Sequence, residues 1–176
     1  HNLAVATATL LEQKKFIIKK EHFIAGIQKT HWPARMEKIT SGKLVDNLKL
    51  NYELFLDVTH NPAGAKELCN WIKEEKRKRA RIHVICSMMK DKDIQTCIKY
   101  FSTHAYSMTI LPIDENDRCA SIVEMSKICQ NLKIDHKISK NFKTAFSKIS
   151  TNFSHKNIII IFGSLFLAEQ FLNQNL

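Results

Sequence analysis

The chain has 176 residues, 44% of them apolar and 25% charged, with a formal net charge of +10. That length supports one full hydrophobic core with a small appendage, and no apolar run approaches the length of a bilayer span, so a membrane partner is not expected. Five cysteines at 69, 86, 97, 119 and 129 form no Cys-x-x-Cys pair, which argues against a zinc cage or disulfide framework and for a reducing, cytoplasmic setting.

In chain order, Leu3 to Leu11 is small and helix-tolerant, with Asn2 placed as its cap. A second helix from Lys20 to Gln28 carries Phe23, Ile24 and Ile27 on one face. Thr30-His31-Trp32-Pro33 breaks the pattern and divides the chain into an appendage, residues 1–30, and a main domain, residues 31–176. Strands are expected at Met36 to Thr40 and Leu54 to Val58, with a loop or hairpin over Gly42 to Asn51. A helix over Pro62 to Arg79 follows, with Leu68, Cys69 and Ile72 inward. The alternation continues with strand Ile82 to Ser87, helix Asp93 to Phe101 and strand Ser107 to Leu111. It closes with helices Cys119 to Leu132 and Lys140 to Ser150, strand Asn157 to Phe162 and helix Ser164 to Asn173. Strands that are apolar almost throughout, such as Ile158 to Phe162, are those of a parallel sheet covered on both faces. The expected fold is therefore α/β, a Rossmann-like and mostly parallel sheet flanked by helices.

The positive charge is spread along the chain. Its densest run, Lys73-Glu74-Glu75-Lys76-Arg77-Lys78-Arg79, closes a helix, where cations complement the macrodipole, and it contains two acids and no aromatic residue. It reads as a solvated helix end, and a nucleic-acid partner is not expected.

Three strand ends carry polar groups. At the first, Asp57-Val58-Thr59-His60-Asn61-Pro62, capping accounts for Asn61 and Pro62 but not for Asp57 or His60. Asp57 suits ribose hydroxyls, and His60 suits an anion or an incoming nucleophile. At the second, Lys90-Asp91-Lys92-Asp93 brings alternating charges over the sheet edge and reads first as a helix cap with wet lysines. At the third, Gly163-Ser164 offers a hydroxyl at a helix start, either a cap or an anion contact. Arg35, behind the stiff Trp32-Pro33, has the fork geometry for phosphate, although a single Arg in a connector reads first as a surface residue. The four glycines, at 26, 42, 64 and 163, cannot build a glycine-rich phosphate loop, so a triphosphate would need a second segment to hold it.

Taken in order, Asn2-Leu3-Ala4-Val5-Ala6-Thr7-Ala8, Trp32-Pro33-Ala34-Arg35-Met36-Glu37, Leu56-Asp57-Val58-Thr59-His60-Asn61-Pro62, Met88-Met89-Lys90-Asp91-Lys92-Asp93 and Phe162-Gly163-Ser164-Leu165 resemble the C-terminal part of the folylpolyglutamate synthase/dihydrofolate synthase family, in the Mur ligase superfamily. The resemblance implies a Mur ligase C-terminal, glutamate-binding domain over 31–176, preceded at 1–30 by the helical tail of a central ATPase domain. It implies an ATP-dependent amide ligase, which phosphorylates a pteroate or folate carboxylate and lets the amine of L-glutamate displace the phosphate. By the same resemblance Asn2, Arg35 and Asp57 contact ATP, His60 lies near the reacting phosphate and glutamate, and Lys92 and Ser164 are weaker matches for substrate contacts. Magnesium would be held by an N-terminal P-loop domain, supplied in cis or in trans, without which no ligase activity is expected. The chain opens on His1 without an initiating Met, and a fragment of such an enzyme, acting as a monomer, is the expectation. Many relatives carry Gly where Ala34 stands and Ala or Gly where Thr59 stands. A non-catalytic nucleotide-binding or interaction module of the same fold is the alternative.

Overall fold

The structure, a computed structural model, describes residues 2–46, 48, 52–114, 116–149 and 155–176, with Asn2 described only in its backbone. These residues fall into two compact units, His1–Pro33 and Ala34–Leu176. The division follows Pro33, whereas the sequence reading drew it after residue 30.

The first unit holds α1 (Asn2–Glu12) and α2 (Lys20–Lys29). Asn2 lies inside α1 at its start, and its expected capping side chain lies outside the described residues. No residue of α2 is buried.

The second unit contains β1 (Glu37–Ile39), β2 (Tyr52–Asp57), α3 (Pro62–Arg77), β3 (Arg81–Cys86), α4 (Ile94–Phe101), β4 (Ser107–Ile110), α5 (Ile122–Asn131), β5 (His136–Ile138), α6 (Phe142–Ser147), β6 (Asn157–Phe162) and α7 (Leu165–Asn175). One six-stranded sheet runs in the order β1-β2-β6-β3-β4-β5. Only β1 is antiparallel to its neighbour, and the remaining pairings are parallel. β6 is buried along its whole length, as a strand inserted between β2 and β3 must be.

Side-chain alternation divides the core between the two faces. Ile82, Val84, Cys86, Ile158, Ile160 and Phe162 pack with α3, α4 and α5. Leu54, Leu56, Ile85, Ile159 and Ile161 pack with α6 and α7 on the other side. α3 shows how the sequence builds its layer. The Asn61 side chain accepts the Gly64 N–H, Pro62 opens the first turn, and Ala65, Leu68, Cys69 and Ile72 turn inward. Full burial of Ile72 alone stabilises by about 2 kcal/mol.

Two helices are shorter than expected. α5 starts at Ile122 because Ser121 and Glu124 close a reciprocal capping box, and Cys119 instead bridges to Met89. α6 starts after Asn141, whose side chain accepts the Thr144 N–H, and stops at Ser147. The strand β5 was not foreseen.

Candidate functional site at the strand ends

Register aligns three strand ends on one edge of the sheet: Asp57 faces Phe162, which faces Cys86. β2 leads into α3 on one face, and the adjacent β6 leads into α7 on the other. Neighbouring strands whose exits diverge leave a crevice at their carboxyl ends, the ligand position in open α/β sheets.

Asp57 is 6% exposed. Its Oδ1 accepts the Thr59 N–H at 2.7 Å and its Oδ2 accepts the Met36 N–H at 2.8 Å. The second bond docks the turn carrying Arg35 onto the end of β2, with the Val58 N–H donating to the Ala34 carbonyl at 2.8 Å and Glu37 Oε2 accepting the Ala34 N–H at 2.7 Å. Ala34 and Met36 both adopt positive φ, 55° and 48°, so Arg35 sits at the crest of a tightly folded turn with its side chain exposed. Local structure thus gives Asp57 a task that the sequence reading had not assigned. Glu37 and Thr59, which complete the turn, had not been singled out.

His60 is half-buried and its Nδ1 lies 2.8 Å from the Val58 carbonyl. A carbonyl only accepts, so Nδ1 carries the proton and Nε2 is the acceptor of the neutral ring. That tautomer leaves Nε2 to take a proton or, once charged, to donate to an anion.

At the next strand end Gly163 has φ +119°, and a Cβ there would collide with the Ser87 carbonyl. Only glycine lets β6 approach β3 this closely at its exit. Ser164 is buried, accepts the Phe166 N–H at 3.1 Å as the cap of α7, and donates to Met89 Sδ at 3.4 Å. Beyond β3, Lys92 pairs with Asp91 at 2.8 Å and, with Lys90, Lys127 and Gln95, lines a groove of about 410 Å³. Asp93, which caps α4 through the Thr96 N–H, and Glu124 line the same groove, so its charge is mixed.

Arg35, Asp57, His60, Lys92 and Ser164 thus belong to one unit, while Asn2 belongs to the other. Burial pushes the thiols of Cys97 and Cys129 up to about 11, and that of Cys86 higher still, so these cysteines are packing groups rather than nucleophiles. Among the described residues no group of three or more His, Cys, Asp and Glu is placed to hold a metal ion, and no helix is long and apolar enough to cross a membrane.

The family model described as dihydrofolate synthetase, C-terminal domain, matches residues 41–174. The chain belongs to this family. The dihydrofolate synthetase C-terminal domain match takes in Asp57, His60, Lys92 and Ser164, while Asn2 and Arg35 precede it. A dihydrofolate synthase/folylpolyglutamate synthase of Buchnera aphidicola subsp. Baizongia pistaciae is 28% identical over 132 residues, 73% of this chain and 29% of that protein. Escherichia coli FolC in complex with DHPP and ADP superposes with a TM-score of 0.76 at 19% identity, over 98% of this chain and 38% of the other. A bifunctional folylpolyglutamate synthase/dihydrofolate synthase with Mn, AMPPNP and L-glutamate bound gives 0.75 at 20% identity, over 98% and 39%. The chain therefore spans about a third of the length of these relatives. The expected mostly parallel sheet with flanking helices is the fold they share.

Proposed function

We propose that the chain is the glutamate-binding, nucleotide-closing part of an ATP-dependent amide ligase that adds L-glutamate to dihydropteroate or to a folate through an acyl phosphate. The observation that carries this reading is the bond from Met36 to Asp57, which unites the Arg35 turn and the His60 strand end in one rim. Family membership supports the ligase class. ATP, a divalent ion and glutamate come from the ligands of the structural relatives.

In this reading the γ-phosphoryl group of ATP passes to the substrate carboxylate, and the glutamate amine attacks the resulting carbonyl carbon. The C–O bond to phosphate breaks, phosphate leaves with that electron pair, and the amine loses its proton. Arg35 neutralises phosphate charge as it is transferred. Asp57 positions Arg35, and the acceptor capacity left after its two main-chain bonds serves the ribose. Asn2 is a further nucleotide contact by family resemblance alone. His60 Nε2 accepts the amine proton or holds the departing phosphate. Lys92 attracts a carboxylate of glutamate, and Ser164 orders the start of α7. In this reading magnesium is held by a P-loop ATPase domain, in cis or in trans. Closure of the two parts excludes water from the acyl phosphate.

The test is ATP- and dihydropteroate-dependent incorporation of labelled glutamate, by the chain alone and by the chain joined to the P-loop domain of a relative. The joined protein is expected to be active and the chain alone inactive. His60→Ala is expected to lower kcat by about a hundredfold or more. Turnover by the chain alone, or an unimpaired His60→Ala, would overturn the assignment.

A further inference from the structure

The run from Lys73 to Arg79 has no place in the ligase reading. It lies where α3 ends and the parallel strands begin, across the sheet from Asp57 and His60. A six-residue strand such as β3 separates the two edges by about 20 Å. Both acids of the run are matched: Glu74 binds Arg77 at 2.6 Å, and Glu75 binds Lys78 at 2.7 Å and Lys156 at 3.0 Å. The remaining cations of the run gather elsewhere: Lys76 and Arg79 line a cavity of about 310 Å³ together with Arg81, His104, His155 and Tyr106. His104 also lines a second cavity, of about 470 Å³, with Lys73, Lys99 and Tyr100.

The two cavities adjoin at His104, and no carboxylate lines this trough on either side of it among the described residues. Helix-end electrostatics account for Lys76 and Lys99, which stand in the last turns of α3 and α4. They do not account for Arg81 on a strand or for His104 and His155 in loops. Burial, and after it the nearby Lys73 and Lys76, hold His104 below the usual imidazole range, so it enters the site as a neutral hydrogen-bonding ring. The fold also supplies the aromatic partner that the linear run lacks. Tyr106 is 54% exposed, and the Arg81 guanidinium lies 4.7 Å from its ring centroid.

We propose that this trough is a second anion-binding site, which takes a chain of phosphates along Lys73, Lys76, Arg79 and Arg81 and a planar group against Tyr106. Cations repeated along a helix suit a repeating anion better than a single one, and guanidinium forks grip phosphate in a bidentate fashion. An aromatic ring beside such a groove is the arrangement that holds stacked bases of a single strand. The shared chemistry is phosphate, from a free oligophosphate or from a nucleic-acid strand.

The experiment measures binding of inorganic tripolyphosphate by calorimetry and of a labelled ten-nucleotide single strand by anisotropy, from 50 to 200 mM salt. Lys73→Gln/Arg79→Gln is expected to weaken binding at least tenfold and to reduce the log–log salt slope for the strand by about 1.4. Lys140→Gln/Lys143→Gln, an equal charge loss at other exposed positions, is expected to change affinity less than twofold. Arg35→Gln/His60→Ala separates this site from the proposed nucleotide site and is expected to leave it intact. Tyr106→Ala weakening the strand but not tripolyphosphate identifies nucleic acid as the source, and tripolyphosphate binding without strand preference identifies the free anion. Binding of neither probe at 50 mM salt, equal loss in the Lys140/Lys143 variant, or loss confined to the Arg35/His60 variant would overturn the proposal.

Discussion

Met36 and Asp57, 21 residues apart in sequence, are joined by a 2.8 Å bond from the Met36 N–H to the Asp57 carboxylate. The same carboxylate accepts the Thr59 N–H, so one buried acid fixes both the turn before β1 and the turn after β2. Stability and site geometry therefore meet in a single side chain.

Asp57→Ala leaves two main-chain donors without their acceptor and is expected to cost about 2–4 kcal/mol. Asp57→Asn keeps one acceptor oxygen and should cost about half as much. Arg35→Gln, at an exposed side chain, should leave stability within about 0.5 kcal/mol while abolishing glutamate incorporation in the joined enzyme. Urea unfolding of the three variants separates these effects, and an Asp57→Ala midpoint equal to that of the parent would refute the account.

At Ala34 two effects oppose one another. Its φ of 55° strains any residue with a Cβ by about 1 kcal/mol, yet its methyl is buried at 2% exposure and contributes about 0.8 kcal/mol. Ala34→Gly should therefore be close to neutral, and Ala34→Val strongly destabilising, since a branched Cβ worsens the strain and overfills the site. Thermal melts of both variants provide the check.

Gly163→Ala should lower the melting temperature more than Ser164→Ala does. The first drives a Cβ into the Ser87 carbonyl at a backbone angle that only glycine readily adopts. The second removes a helix cap, at a cost of about 1 kcal/mol. Equal shifts would show that β6 and β3 can separate at their exits without penalty.

The acid limb of stability should depend on Lys156. Hydrogen bonds from Lys78 and Lys156 hold Glu75 below the usual carboxylate range, and bonds from Lys156 and Lys38 do the same for Glu53. Carboxylates whose folded pKa is depressed stabilise the fold fully above the unfolded value of about 4.3, and this contribution is lost as pH falls through the lower folded value. Lys156→Met should lower stability by about 1 kcal/mol at pH 7 and leave a shallower decline as pH falls from about 5 through the lower folded values. A parallel offset at every pH would contradict this coupling.

The central strands were legible because both faces of each are covered, which forces apolar runs with clear ends. β6 falls at Asn157–Phe162 as read, and α3 opens where Asn61 and Pro62 announce it. The Ser121–Glu124 capping box was also present in the residues, although the helix was read from Cys119. β5 was not legible: His136–Ile138 is a half-exposed edge of three residues, and it is a strand only because β4 offers a partner at Met108 to Ile110.

Of the site, residue chemistry and spacing alone singled out Asp57 and His60, since local capping satisfied Asn61 but left these without a task, whereas Arg35 gained its role from the family resemblance. Only the tertiary structure decided that Asp57 holds the Arg35 turn, that Ser164 is a buried cap, and that Tyr106 and Arg81 stand beside Lys76. Each of these depends on which strands become neighbours. Strand order is set by crossover connections and by the packing of two faces, and no local pattern of residues encodes it.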